Sequence, residues 1–142
     1  MALGGDLESL EVKTVFVVGA VIVRDDSVLV CRRAPFKSLA GLWEFPGGKV
    51  ERGETPEHAL RREIMEELKV LVTVQQFVGS GEFEMNDVLI RLDCFQCSLA
   101  GSVPVKSTDH DQLKWLKKNE LESIPWAPAD IPVVEAVRSL LN

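Results

Sequence analysis

Cysteine is scarce in this chain, basic side chains are outnumbered by acidic ones, and no apolar run is long. The three cysteines among 142 residues form an odd set without a repeated spacing. Such a set indicates reduced thiols in a cytosolic protein. Cys94 and Cys97 form a CFQC motif within a segment that reads as a strand. Residues three apart on a strand face opposite sides, so we expect two buried cysteines and no chelating or disulfide pair.

The shortage of positive charge restricts the partners of the protein. The chain has 16 Lys and Arg against 22 Asp and Glu, a formal net charge of −6 and a pI near 5.0. Nucleic-acid or anionic-membrane binding would need a basic surface that replaces phosphate counterions. No run reaches the ~18 apolar residues of a membrane span, and the start, MALGGDLESLEVKT, lacks the basic and apolar regions of a signal peptide. We therefore expect a cytoplasmic monomer or homodimer whose partner is a small molecule.

The order of the predicted elements indicates one α+β domain over residues 1–142. No charge run, repeat or Pro/Ser-rich linker divides the chain. Apolar patterns predict strands at 14–23, 27–32, 70–83, 88–99 and 112–116, the first two as a hairpin. Asn86 and Asp87 mark a turn, and Pro46, Gly47 and Gly48 predict a tight turn. The apolar spacing over 130–141 predicts a final helix that packs on the sheet.

A further helix is predicted just after the glycine turn. Thr55 has the side chain of an N-cap, and Pro56 suits the first helical position. Leu60, Ile64 and Leu68 then form an apolar stripe. This stripe would hold the neighbouring face of the helix at the rim of the core.

That neighbouring face is acidic. Glu63, Glu66 and Glu67 share it beside Arg62, because positions i, i+3 and i+4 are neighbours on a helix. A like-charge pair at i,i+4 costs a few tenths of a kcal/mol, so helix stability does not explain the pattern. A divalent cation does, because Mg²⁺ and Mn²⁺ prefer hard carboxylate and carbonyl oxygens.

Residues 48–70, GKVERGETPEHALRREIMEELKV, resemble the signature of the Nudix hydrolases, GX5EX7REUXEEXGU with U aliphatic. One position departs from it. Lys69 stands where the family has glycine, at a helix end that often adopts a positive φ. The six matching positions that are not aliphatic are Gly48, Glu54, Arg62, Glu63, Glu66 and Glu67.

The resemblance implies an α/β/α sandwich with a mixed β-sheet, a loop-helix-loop signature and Mg²⁺ as cofactor, with Mn²⁺ as a substitute. It implies that Glu63, Glu67 and the Gly48 carbonyl bind the metal, while Glu66 shares it or orients water. Arg62 would hold the cluster through charge-assisted hydrogen bonds. For Glu54, direct chemistry and stabilisation of the turn stay open as alternatives.

The flanking residues are similar to the MutT-like nucleoside triphosphate pyrophosphohydrolases, especially those for CTP and related nucleotides. The similarity rests on CRRAPFKSLAGLWEFPGGKVE at 31–51, WAPADIPVVEAV at 126–137, and the spacing of Asp109, His110 and Trp115. It implies a substrate site with Arg33 and Lys49 near the phosphates and Asp130 at the base. The other implied substrate-binding residues are Glu44, Phe45, Pro46, Gly47 and Gly48.

Several of these residues have simpler alternatives. Asp109 is a further metal ligand, the general base, or merely a turn residue. Asp130 reads the base, caps the final helix, or does both. For Phe45, packing in the core is a fair rival. His58 and His110 lack partners for metal binding, so we expect surface or helix-end roles.

The favoured function is hydrolysis of a nucleoside triphosphate to the monophosphate and pyrophosphate, which would clear damaged or surplus nucleotides. Another diphosphate substrate, such as a nucleotide sugar or dinucleoside polyphosphate, is the enzymatic rival. A nucleotide-binding module without turnover is the rival from another class. The sequence does not rank CTP, dCTP, 5-hydroxy-dCTP and 8-oxo-dGTP as substrates.

Overall fold

The computed structural model describes residues 12–142 and begins with the expected hairpin. Strands β1 (Lys13–Arg24) and β2 (Ser27–Arg33) pair antiparallel, and Asp25 turns the chain between them with a φ of 55°. Aspartate tolerates this left-handed conformation better than most residues. The hairpin prediction is confirmed. The segment for which no signal peptide was expected lies almost wholly outside the described residues.

Five further strands and two helices complete the domain. They are β3 (Trp43–Glu44), β4 (Gly47–Lys49), α1 (Pro56–Leu68), β5 (Val72–Met85), β6 (Val88–Leu99), β7 (His110–Lys117) and α2 (Ile131–Arg138). Two 3₁₀ segments, Lys118–Ser123 and Pro128–Asp130, precede α2. The strand order is β3-β2-β1-β6-β5, with β4 on β1 and β7 on β2. Strands β1 and β6 run parallel and the other pairs antiparallel, so the sheet is mixed as expected.

The sheet lies between α1 and α2 because each inner strand is apolar on both faces. Along β1, Val18, Ala20 and Ile22 contact the α1 side, whereas Val21 contacts the α2 side. This alternation is the two-residue repeat of a strand. The two cores confirm the expected α/β/α sandwich. No helix within 12–142 has the length and apolar character needed to cross a membrane.

Helix α1 begins and ends where the sequence predicts. The Thr55 side chain accepts a hydrogen bond from the backbone N–H of His58, and Pro56 occupies the first helical position. Lys69 ends the helix in the left-handed region at a φ of 59°, with its N–H donating to the Met65 carbonyl. The lysine thus adopts the backbone conformation for which the signature uses glycine.

The glycine segment is not the tight turn that the sequence predicts. Gly47 and Gly48 belong to β4 and pair with Gly19 and Val18 of β1. Neither glycine has a positive φ. A Cβ on Gly47 would collide with the Val18 carbonyl, so close approach of two backbones explains the glycine there.

The final helix is shorter than predicted. It ends at Arg138, although Leu141 beyond it remains buried in the same core as Val133 and Val137. Cys94 and Cys97 are both buried and free, and they lie in opposite cores as the strand argument requires.

Candidate active site

Arg62 lies at the centre of the signature and donates hydrogen bonds to three carboxylates. Its Nε and Nη2 donate to the two oxygens of Glu54 at 2.7 and 2.9 Å. Its Nη1 donates to Glu63 at 2.8 Å and to Glu66 at 3.3 Å. Its Nη2 also donates to the Lys49 carbonyl at 3.0 Å. The planar guanidinium fork thereby ties helix α1 to β4 and to the intervening loop.

Glu54 serves as the loop's anchor for Arg62. Its Oε1 also accepts from the backbone N–H of Glu51 at 2.9 Å, and His58 Nδ1 lies 2.9 Å from Oε2. The Arg62 hydrogen bonds, with the Glu51 N–H, lower the pKa of Glu54 to about 2. Glu54 does not line the large cavity described below. These contacts favour the turn-stabilising alternative. His58 is exposed in the first turn of the helix, a helix-end position as expected.

Glu63 lies directly against Gly48. A Cβ on Gly48 would collide with the Glu63 carboxylate, so only glycine leaves room for this side chain. The β4 backbone and the acidic helix therefore meet at Gly48 and Glu63.

Glu67 is the most perturbed carboxyl group of the acidic helix. It is 6% exposed, and its Oε2 has no hydrogen-bond partner within the described residues. Burial, followed by the charges of Asp109 and Glu63, raises the pKa of Glu67 to about 9. Perturbed, partly desolvated carboxyl groups are concentrated at functional sites. Among the carboxyl groups of the acidic helix, Glu67 therefore has the most to gain from a cation.

Asp109 approaches the same place from the loop before β7. Burial would raise its pKa, but hydrogen bonds from Lys37 and Thr108 outweigh burial and hold the pKa of Asp109 below its usual value. Lys37 Nζ lies 3.0 Å from Asp109 Oδ2. The carboxylate therefore stays ionised in an acidic neighbourhood.

A cavity of about 510 Å³ opens beside these groups. Its volume falls in the range of small-molecule sites. Ten of the residues predicted from sequence line it: Arg33, Glu44, Phe45, Gly47, Gly48, Lys49, Glu63, Glu67, Asp109 and Asp130. Pro46, Arg62 and Glu66 do not line the cavity, and the Glu66 side chain is 59% exposed. The structure thus brings together most, but not all, of the predicted site.

Asp130 is buried in the wall of this cavity, and the helix-cap alternative is wrong. Its side chain makes no capping hydrogen bond to α2. Instead Oδ2 accepts from the backbone N–H of Phe45 at 3.0 Å. Burial, and then the charge of Glu44, raises the pKa of Asp130 well above its ordinary value. Phe45 is itself buried against Trp126, with ring centroids 5.0 Å apart, so it both packs in the core and lines the cavity.

His110 is also buried, contrary to the surface or helix-end role expected for it. Its side chain is 1% exposed, and Nε2 lies 2.9 Å from Glu44 Oε2. Its Nδ1 lies 2.7 Å from the Ser107 hydroxyl. The other Glu44 oxygen accepts from Arg33 Nη1 at 2.9 Å. Arg33 is therefore held at the cavity wall by a partly buried network whose innermost member is His110.

Similarity to known proteins identifies the family. The model of the NUDIX domain matches residues 13–137. The chain is a Nudix hydrolase. It is 39% identical to the CTP pyrophosphohydrolase of Escherichia coli over 129 residues, which cover 90% of this chain and 94% of that protein. It is 39% identical to the putative 8-oxo-dGTP diphosphatase 2 of Mycobacterium tuberculosis over 130 residues, 89% of each chain.

A solved structure agrees with this assignment. The solution structure of the DNA mismatch repair protein MutT, a Nudix hydrolase from methicillin-resistant Staphylococcus aureus, is 41% identical to this chain. It superposes with a TM-score of 0.75 and covers 90% of this chain and 98% of its own. The MutT-like resemblance seen in the sequence is thus supported over almost the whole domain.

This Nudix hydrolase has cavity residues that the sequence did not reveal. Lys37, Ser38 and Leu39 line the wall formed by the loop after β2. They lie within the segment 31–51 that resembles the family, but a loop has no periodic pattern that predicts which way its side chains point. The apolar wall comes from strands β1, β5 and β6, whose inward faces depend on pairing between distant segments. It consists of Val15, Val17, Val18, Phe83, Met85, Ile90 and Leu92.

The donor set of this Nudix site fits a hard divalent cation. No three His, Cys, Asp or Glu side chains within 12–142 converge as a ready metal site. Protein sites for Mg²⁺ commonly supply only one or two carboxylates and leave the remaining positions to water and substrate phosphate. The unpaired, buried Oε2 of Glu67 and the Glu63 carboxylate against Gly48 are hard oxygen donors of this kind.

Proposed function

We propose that this Nudix hydrolase is a Mg²⁺-dependent nucleoside triphosphate pyrophosphohydrolase. It would convert an NTP or dNTP, either CTP or dCTP or an oxidised nucleotide, to the monophosphate and pyrophosphate. The observation that carries the proposal is the division of the cavity wall. Its charged side chains come from β2, β3, β4, α1 and the loops and 3₁₀ segment between the regular elements, whereas β1, β5 and β6 contribute only apolar side chains. A nucleotide has the same division between its phosphates and its base.

The charged part of the wall suits a polyphosphate. Glu63, Glu67 and the Gly48 carbonyl would hold Mg²⁺, with Mn²⁺ as a substitute, and Glu66 would share the metal or orient water. Such a cation neutralises phosphate charge and lowers the pKa of water. Arg62 would keep Glu63 in place through the hydrogen bond already described.

The remaining charged residues would orient the substrate. Arg33 and Lys49 would offset charge on the phosphate oxygens, and positioned cations of this kind are a large part of phosphoryl-transfer catalysis. Asp109 would act as a further metal ligand or as the general base. Its ion pair with Lys37 supports this role because the carboxylate remains ionised.

The apolar part of the wall, with Asp130, would hold the nucleoside. The Asp130 carboxyl can accept from the exocyclic amine of cytosine, and it can equally accept from guanine donors. The names of the two relatives, one for CTP and one for 8-oxo-dGTP, support both choices. Glu44, Phe45, Pro46 and Gly47 would shape this side, Pro46 from behind the cavity wall.

The reaction would begin with attack by water on the β-phosphorus. The bond from that phosphorus to the bridging oxygen breaks, and the nucleoside monophosphate leaves with that oxygen. We propose that the enzyme acts on the nucleotide pool as a cytoplasmic monomer or homodimer, with this small molecule and no nucleic acid as its partner. Its role there would be removal of damaged or surplus nucleotides.

Hydrolysis in ¹⁸O water tests the proposal. The chain is assayed with Mg²⁺ on CTP, dCTP, 5-hydroxy-dCTP and 8-oxo-dGTP, and the products of the best substrate are examined by mass spectrometry. We expect the heavy oxygen in pyrophosphate and an unlabelled monophosphate. Label in the monophosphate would show attack at the α-phosphorus instead. Orthophosphate as a product, or hydrolysis only of a nucleotide sugar or dinucleoside polyphosphate, would overturn the proposal.

A further inference from the structure

A series of partly buried hydrogen bonds joins two parts of the cavity wall, and the buried His110 side chain is at its middle. Arg33 donates to one oxygen of Glu44, and His110 Nε2 contacts the other. On its second side, His110 Nδ1 contacts the Ser107 hydroxyl, which also accepts from the backbone N–H of Asp109 at 3.2 Å. A carboxylate only accepts hydrogen bonds, so Nε2–H donates to Glu44.

The two ends of this hydrogen-bond series, Arg33 and Asp109, are also connected through the loop after β2. Arg33 Nε donates to the Ser38 carbonyl at 2.6 Å, which fixes the loop after β2. The neighbouring Lys37 reaches Asp109 with its ion pair. The polar contacts therefore form a closed ring around one side of the cavity, and His110 is the buried residue in that ring.

A bulge in the sheet explains why a histidine occupies this position. Arg32 pairs with Gln112, but Arg33 pairs with His110, so Asp111 is an extra residue in β7. Without the shift, alternation would place Asp111 beside Arg33. With it, His110 faces the Arg33 side, and Asp111 pairs outward with Arg32 at 2.7 Å. Bulges commonly redirect a side chain beside an active site.

The buried ring cannot turn without cost. Both of its nitrogens are bonded, and the side chain is 1% exposed. Rotation would leave the nitrogens of the buried ring, and one oxygen of the partly buried Glu44 carboxylate, without these partners, which proteins strongly avoid. The two contacts of the ring therefore fix Glu44 and Ser107 relative to each other.

We propose that His110 is a positioning residue that holds the Arg33–Glu44 pair and the Asp109 loop in one arrangement around the substrate. The inference rests on the proposed function in so far as Arg33 binds phosphate and Asp109 takes part in the reaction. His110 itself need not touch the nucleotide. Its loss would act through Arg33 on binding and through Asp109 on turnover.

Two conservative variants separate the two contacts. In His110→Asn the amide reaches about as far as Nδ1, so the Ser107 contact is kept and the Glu44 contact is lost. In His110→Gln the amide reaches about as far as Nε2, so the Glu44 contact is kept and the Ser107 contact is lost. Asp111→Asn is the matched control, because it breaks an exposed ion pair on the same two strands.

The readouts are KM and kcat for CTP or 8-oxo-dGTP, whichever the wild type hydrolyses faster, and the Kd of the same nucleotide in EDTA. We expect His110→Asn to raise KM and Kd about tenfold with little change in kcat. We expect His110→Gln to lower kcat about tenfold with Kd near the wild-type value. For the Asp111→Asn control, KM, kcat and Kd should all stay within about twofold of the wild-type values. Ser107→Ala, which leaves the sheet intact, should reproduce the kcat loss of His110→Gln.

The outcomes distinguish this inference from the proposed function. If the wild type hydrolyses the nucleotide but both variants keep KM, kcat and Kd while melting earlier, His110 is only structural and the inference is wrong. Equal changes in both variants would also overturn it. If the wild type hydrolyses no nucleotide, the proposed function fails. NMR spectra of the free protein then decide the inference, because His110→Asn should shift the Arg33 Nε–H signal and His110→Gln the Asp109 amide.

Discussion

Replacing Glu67 with Gln should stabilise the protein near neutral pH and remove its activity. Glu67 is buried, lacks a partner for one oxygen within the described residues, and has a pKa raised to about 9. The ordinary glutamate pKa in the unfolded chain is 4.5. Between these values the folded state binds more protons than the unfolded state, so the free energy of unfolding falls as pH rises.

The size of the effect follows from the pH interval. One pKa unit corresponds to about 1.4 kcal/mol, so the interval from the unfolded pKa to pH 7 corresponds to about 3 kcal/mol. Glutamine does not titrate, so the variant does not carry this cost. Its buried amide lacks hydrogen-bond partners, however, which lowers the free energy of unfolding by about 1 to 2 kcal/mol. The net gain at pH 7 is then about 1 to 2 kcal/mol. At pH 4 the Glu67 penalty is absent, so the variant should be no more stable than the wild type.

Urea unfolding followed by circular dichroism at pH 4 and pH 7, in EDTA, measures this difference. Glu57→Gln is the control, because Glu57 is exposed in the same helix and should show no comparable pH-dependent gain. If the stability difference between Glu67→Gln and the wild type is the same at pH 4 and pH 7, the burial argument is wrong. The activity arm uses saturating Mg²⁺: near wild-type hydrolysis by the folded variant would refute the metal assignment. Mg²⁺ should raise the melting temperature of the wild type more than that of the variant.

Three further outcomes follow from the same structure. Lys69→Gly should stabilise the domain by less than about 1 kcal/mol, because it relieves a positive φ but loses the hydrogen bond from Lys69 Nζ to the Glu66 carbonyl. Melting temperatures test this, and Lys69→Ala should be the least stable of the three proteins. Asp130→Asn should keep the Phe45 hydrogen bond and change the ratio of hydrolysis rates on cytosine and guanine nucleotides. Asp130→Ala should change the same ratio and also lower the free energy of unfolding by about 1 to 3 kcal/mol. An unchanged ratio in both variants would show that Asp130 does not recognise the base. The cysteines should react with a thiol reagent only on unfolding, because burial raises the pKa of all three: Cys31, Cys94 and Cys97.

The sequence predicted the signature helix well because its determinants are local. The Thr55 cap, the stripe of Leu60, Ile64 and Leu68, and the left-handed Lys69 are all set within a few residues of the positions they affect. The carboxylates of α1 share a face for the same reason. Its contacts with β4 were implied only by the resemblance to the family.

The errors lie where a residue's role depends on distant partners. Glycine provides either a positive φ or room for a close backbone, and only the pairing of β4 with β1 shows which applies at Gly47. His110 and Asp130 are polar residues that composition alone would leave exposed. Their partners Glu44 and Phe45 are 66 and 85 residues away in the chain. Long-range hydrogen bonds offset the cost of burying such polar groups, and no local sequence pattern predicts these bonds.

The charge balance of the cavity connects stability with function. Six carboxyl groups line it, Glu44, Glu51, Glu63, Glu67, Asp109 and Asp130, against the three cations Arg33, Lys37 and Lys49. Arg33 and Lys37 already pair with Glu44 and Asp109, so few positive charges remain for a triphosphate. Burial holds Glu67 and Asp130 towards their neutral forms, so a nucleotide without a divalent cation would meet little net attraction at the acidic helix and bind more weakly than its Mg²⁺ complex. The burial of Glu67 costs stability during folding, and a cation bound there would recover that cost, because it favours the charged form that burial opposes.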